Sequence, residues 1–141
     1  MGQITTTLER GAHLVGRYLD ATAGKLGLTQ GEAHVLAQLE SRGPMPIAAL
    51  HDEFGHKRST LTNLLDRLEK RKLLRRELNP NDRRSFMVSL TPQGRRNARQ
   101  VVEVLDGLDH QLAALVGKSG GESLDRVVAG LETIIARRRR T

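Results

Sequence analysis

A mainly α-helical fold with one small β-hairpin is the class this sequence predicts, and three observations predict it. The 141 residues include no Trp, one Tyr and two Phe, so the interior must be built from Leu, Val, Ile and Ala. Such aliphatic cores favour helices packed on helices over a β-sandwich, whose strands want aromatic and β-branched residues. Apolar residues also recur at steps of three and four along most of the chain, the period of amphipathic helices. The third observation is a break in that period around Asn79, Pro80, Asn81 and Asp82, four turn-formers between two short segments of strand character.

Each element follows in order. Ile4, Leu8, Ala12, Val15 and Leu19 mark a first helix from Ile4 to Leu26. Thr29 with Glu32 three residues on is a capping box, and Ala33, Leu36, Ala37 and Leu39 give the second helix its buried face. Gly43 and Pro44 end that helix. Pro46 suits the first turn of a short third helix anchored by Ile47, Leu50 and Phe54 and stopped by Gly55. The fourth helix, "STLTNLLDRLEKRK", carries the cleanest pattern: Leu61, Leu64, Leu65 and Leu68 fall at i, i+3, i+4 and i+7. Two strands follow, with Leu73, Leu74 and Leu78 before the turn and Phe86, Val88 and Leu90 alternating after it. Thr91 caps a long helix with Pro92 at its first position, running through Ala98, Val101, Leu105 and Leu112. "GKSGGES" reads as a loop, and a last helix shows Leu124, Val127, Val128, Leu131, Ile134 and Ile135.

Two short helices joined through Gly55 and followed by a hairpin make a winged helix-turn-helix. By length this is one domain, with residues 29–96 as the winged core and helices 1–28 and 97–141 flanking it. The flanking helices carry continuous apolar stripes, Ile4, Leu8 and Val15 at one end and Leu124, Val128, Leu131 and Ile135 at the other. They hold more hydrophobic surface than a small monomer can cover, which predicts a homodimer.

The formal charge of +7 is unevenly placed. Residues 1–55 carry 4 basic and 6 acidic side chains, net −2; residues 56–99 carry 13 and 4, net +9; residues 100–141 carry 6 of each. The whole excess sits in the segment of the fourth helix and the hairpin, which points to a polyanionic partner. A helix enters the major groove when its exposed face carries short polar groups and basic side chains. Here Lys57, Arg58, Ser59 and Thr60 lie near the start of the fourth helix, then Thr62, Asn63 and Arg67. Any surface helix shows a polar face; the neighbouring turn, which puts Arg83 and Arg84 on a projecting tip, is what turns this one into a double-stranded DNA footprint. Lys57, Arg58, Arg75, Arg76 and the two tip arginines are expected on phosphates, and Ser59, Thr60, Thr62, Asn63 and Arg67 on bases.

From Ser59 to Arg96 the recognition-type helix, "DRLEK", "DRR" and "SLTPQGR" follow one another in an order and spacing that resemble the MarR family of bacterial transcriptional regulators. The flanking helices match in number and order, so the likeness covers essentially the whole chain. It implies a homodimer on a pseudo-palindromic operator, usually a repressor relieved by a small anion or by oxidation. It makes Arg83 and Arg84 wing residues, Asp82 the holder of an arginine, and Thr29 and Gln30 the start of a helix facing the DNA backbone. It also implies an effector pocket between the dimer helices and the wing, with His13, Arg17 and Tyr18 as candidate lining residues. Two positions depart from the family pattern: Lys57 where a capping residue is common, and Lys72 where a glycine is common, which requires a left-handed lysine or a different helix end.

Other classes find less support. No cysteine is present, and His13, His34, His51, His56 and His110 form no i, i+3 or i+4 pair with one another, so no metal site and no cofactor are expected. No glycine-rich phosphate loop, nucleophile elbow or carboxylate pair suggests an enzyme. No signal peptide or membrane-spanning run is seen, which makes a cytoplasmic protein the expectation. Arg137–Arg140 reads as a solvated tail. The rival readings are a winged-helix module docking an acidic protein partner and a non-specific architectural DNA binder; both would lack sequence preference.

Overall fold

The computed structural model describes residues 2–54 and 58–140. Gly55, expected to end the third helix, lies with His56 and Lys57 outside the described residues. The elements in order are α1 (Gln3–Lys25), α2 (Gln30–Arg42), β1 (Met45–Pro46), α3 (Ile47–Phe54), α4 (Arg58–Lys70), β2 (Leu74–Asn79), β3 (Asp82–Leu90) and α5 (Pro92–Arg139). The chain divides into two compact units, residues 1–104 and 105–141, with the division inside α5. Among the described residues no helix is long and apolar enough to cross a membrane.

The core of the first unit is aliphatic. Leu36, Leu50, Leu61, Leu65, Leu68, Leu74, Val88 and Val101 are fully buried, each removal from water contributing about 1.5–3 kcal/mol for its side chain. The four leucines of α4 at i, i+3, i+4 and i+7 are all inside, so the polar residues between them face outward. Val88 and Leu74 are buried at the base of the hairpin, but Phe86 and Leu78, opposite each other in register near its tip, are exposed. The alternation expected along β3 therefore reaches the core only at its inner end.

The helix ends are set by local chemistry. The Thr29 hydroxyl accepts the Glu32 N–H at 3.2 Å and the Glu32 carboxylate accepts the Thr29 N–H at 3.0 Å, closing the capping box. Lys72 adopts φ 59, and around it the Leu73 N–H bonds the Leu68 carbonyl and the Lys72 N–H that of Glu69. This double bond pattern stops α4 as a glycine would, at a left-handed cost of about 1–2 kcal/mol for a lysine.

Three expectations are corrected. The sheet has three strands, in the order β1-β3-β2, because Met45 and Pro46 pair with Val88 and Met87. Pro46 thus belongs to an edge strand, where a missing N–H is tolerated, and α3 opens at Ile47. The loop expected at "GKSGGES" shrinks to one break in α5 at Gly117, φ 69 and ψ −179, with helix resuming directly after it. Gly94 comes so close to the Leu73 carbonyl that a Cβ there would stand 1.7 Å from the oxygen.

Candidate nucleic-acid interface

The exposed face of α4 displays Ser59, Thr60, Thr62, Asn63 and Arg67, the five residues expected to read bases. Arg67 has one loose ionic contact, 3.9 Å to Glu32, and its side chain remains half exposed. Arg58 opens the helix, and Lys57 lies outside the described residues.

The wing is held by its own side chains. Asn79 Oδ1 accepts the Asn81 N–H and Asp82 Oδ1 the Arg84 N–H, both at 3.0 Å, and the ladder shifts register between Leu78 and Asn79. Short side-chain-to-backbone bonds of this kind make a turn without help from the rest of the fold. The expectation that Asp82 holds an arginine by a charge-assisted bond is corrected: its carboxylate accepts the backbone N–H of Arg84, and the guanidinium lies outside. Arg83 and Arg84 are both exposed.

Arg76 joins the wing to the helix. Its guanidinium reaches Asp66 at 2.6 Å and both oxygens of Glu69 at 3.2 Å, so β2 is clasped to α4. The hydrogen bonds from Arg76 hold the Glu69 carboxyl below the usual carboxylate range, against partial desolvation and the nearby Asp66, and the same pairing raises the arginine. Arg76, expected on a phosphate, thus has its Nε and Nη2 donors engaged within the protein. Arg75, the next residue, points to the opposite face of β2, away from α4, because successive strand side chains alternate.

Two residues expected on the DNA backbone are likewise engaged. The Thr29 oxygen caps α2, and the Gln30 amide donates to Asp20 at 2.8 Å while packing over Gly16. Arg71, which the sequence pattern did not single out, donates to the carbonyls of Leu26 and Gly27 at 2.8 and 2.7 Å and ties the end of α4 to the α1–α2 turn. No local signal marks that role, since the partner carbonyls are more than forty positions away in sequence.

A cavity of about 490 Å³ lies between α3, α4 and the wing, lined among others by Ile47, His51, Asp52, Thr62, Arg84 and Ser85. It brings together two of the expected site residues, Thr62 of α4 and Arg84 of the wing. The Nε2 atom of His51 is buried without a hydrogen-bond partner among the described residues. His13, Arg17 and Tyr18 are exposed on α1 and do not line this cavity. Among the described residues no group of His, Asp and Glu is placed to hold a metal.

A short helix, a polar-faced helix and a clasped basic wing define the class: a winged helix-turn-helix of nucleic-acid-binding design. The MarR family model matches residues 28–86. PecS of Dickeya dadantii (strain 3937), an HTH-type transcriptional regulator, is 39% identical over 101 residues, covering 69% of this chain and 60% of that protein. The chain spans about half of the curated relatives it matches, from 45% to 60% of their lengths. Among solved structures, S. aureus MepR in DNA-binding conformation superposes with a TM-score of 0.84 at 17% identity, covering 95% of this chain and 99% of that one. NadR in complex with 4-hydroxyphenylacetate gives 0.82 at 21% identity, with 93% of both chains covered. The chain is thus similar in sequence to the MarR family over residues 28–86 and shares the fold of MepR and NadR over nearly its whole length.

Proposed function

We propose that this protein is a homodimeric, sequence-specific DNA-binding transcriptional regulator, acting as a repressor on a pseudo-palindromic operator and released by a small molecule. The observation that carries the reading is the clasp of Arg76 on Asp66 and Glu69, which ties the hairpin that bears the exposed Arg83–Arg84 tip to α4 with its exposed polar face. A helix and a tip in fixed relation can address a major groove and the neighbouring backbone or minor groove together. Arg83 and Arg84 then supply salt-dependent affinity, and Ser59, Thr60, Thr62, Asn63 and Arg67 read base edges.

A dimer is supported by apolar surface that the single chain leaves uncovered: Ile4 and Leu14 on α1, and Leu124, Val128, Leu131 and Ile135 late in α5. Two copies related by a two-fold axis present two recognition helices to half-sites about one helical turn apart. Release by a small molecule is supported by the cavity shared by His51, Thr62 and Arg84, because an occupant there competes for the two DNA-facing residues. NadR, of the same fold, has been seen with a small aromatic acid bound.

The test is selection of duplexes from a random pool at near-physiological salt, by the wild type and by an Arg83→Ala, Arg84→Ala variant. The wild type enriches an inverted repeat and the variant loses it. A featureless pool from both would transfer the reading to a protein-docking module or an architectural DNA binder.

A further inference from the structure

On the side of the sheet facing away from α4, four guanidiniums gather. Arg75 of β2 and Arg95, Arg96 and Arg99 of α5 line one depression of about 390 Å³ together with Leu90 and Pro92. Among the described residues a single carboxylate pairs with them: Glu40 of α2, at 3.5 Å from Arg95 and 3.2 Å from Arg99. The Arg96 guanidinium is steadied by the Gln93 side-chain oxygen at 2.7 Å. Three of the four heads are thus oriented by neighbours while most of their positive charge stays uncompensated. We propose that this depression is a second anion site, for a small molecule carrying two or more linked phosphate groups.

The local sequence argues that the cluster is more than a wet surface. Its arginines start in the opening turns of α5, where no acidic residue is present and where the positive end of the helix dipole favours carboxylates. Placing arginines there runs against the local rule, and such violations concentrate at functional positions. An anion seated over them meets the guanidinium forks, each fork matching two oxygens of a phosphate. The volume is that of a small-molecule site. Four guanidiniums around one carboxylate leave three positive charges, which a linked di- or triphosphate neutralises and a single carboxylate does not. The site is separate from the DNA face, because Arg76 on the same strand turns toward α4 and Arg75 turns away.

The experiment is calorimetric titration of the purified protein with inorganic triphosphate and, separately, with citrate. It compares the wild type, an Arg75→Ala, Arg96→Ala variant and an Arg83→Ala, Arg84→Ala variant that loses the same charge elsewhere. Arg95 and Arg99 are left in place because they hold Glu40. Triphosphate binds the wild type and the wing variant alike at one per chain, at least tenfold more weakly to the Arg75, Arg96 variant, and citrate binds the wild type more weakly than triphosphate. Equal losses in the two variants reduce the effect to net charge and overturn the site. Absence of wild-type binding does the same, and tighter citrate binding overturns the ligand class. Binding of a mixed-sequence duplex is measured in parallel. The Arg75, Arg96 variant keeps wild-type affinity and salt dependence; a reduced salt slope would assign the cluster to the DNA interface instead. Failure of the wild type to bind any duplex would defeat the function proposed above while leaving the triphosphate result intact.

Discussion

Gly94→Ala is the substitution whose sign separates local from tertiary reasoning. Gly94 sits in the first turn of a helix, where alanine is ordinarily more stable by about 0.5–1 kcal/mol. In this fold the added Cβ stands 1.7 Å from the Leu73 carbonyl oxygen, 2.7 Å from its carbon and 3.2 Å from its Cα, all backbone atoms that no rotamer can move aside. The oxygen must retreat by well over an ångström. That carbonyl accepts the Thr91 N–H at 3.1 Å, the Thr91 hydroxyl donates to the Lys72 carbonyl at 2.6 Å, and the same hydroxyl accepts the Gly94 N–H at 3.0 Å. Prying the two backbones apart strains all three bonds, each worth about 1 kcal/mol net. Setting about 3 kcal/mol of bonds and about 1 kcal/mol of overpacking against a propensity gain of about 1 leaves a loss of about 3 kcal/mol. For a chain of this size that is a midpoint drop of roughly 10 °C. Thermal and urea unfolding at one fixed protein concentration check it, since an oligomer's midpoint depends on concentration. Gly24→Ala in α1, whose Cβ meets nothing within 4 Å, serves as the control and gains about 0.5 kcal/mol. A Gly94→Ala protein as stable as the wild type, or more so, would refute the close approach on which the argument stands.

Other outcomes follow from the same structure. Lys72→Gly relieves a left-handed lysine at φ 59 and raises stability by about 1 kcal/mol in urea unfolding; an unchanged or lower midpoint would count against that conformation. His34 has its pKa lowered by burial, so the folded state resists protonation that the unfolded chain accepts. Stability is therefore fully present above about pH 6.5, the ordinary histidine value, and falls as pH drops below it toward the folded pKa. Urea midpoints at pH 7.5 and 5.5 should drop more for the wild type than for His34→Gln, and equal drops would remove His34 from the account. In titrations of a selected duplex at several salt concentrations, Arg84→Ala weakens all sequences and lowers the salt slope by about one. Asn63→Ala instead narrows the gap between matched and mismatched duplexes by about 1–3 kcal/mol, and a full gap would remove it from base readout.

Much of this fold is legible in the sequence because the deciding interactions are short in range. The leucines of α4 repeat at the helical period, so their burial follows from spacing. Thr29 and Glu32 cap within one turn, and Lys72, standing where no glycine is available to stop the helix, was one of two ways to end it and is left-handed. The turn before Arg83 and Arg84 is made by Asn79 and Asp82 bonding their own backbone, which is why the exposed tip could be foreseen. Beyond that range the letters are silent. Two residues, Met45 and Pro46, are too few to show a strand period, and only β3 beside them makes them a strand. Arg71, Arg75, Arg76 and Arg84 are the same residue type within one basic segment. Arg71 closes on distant carbonyls, Arg76 on two carboxylates of α4, Arg75 faces α5 and Arg84 faces outward. Composition counted their charges together, but a guanidinium's role is set by what lies within hydrogen-bond reach, and chain folding alone brings those partners there.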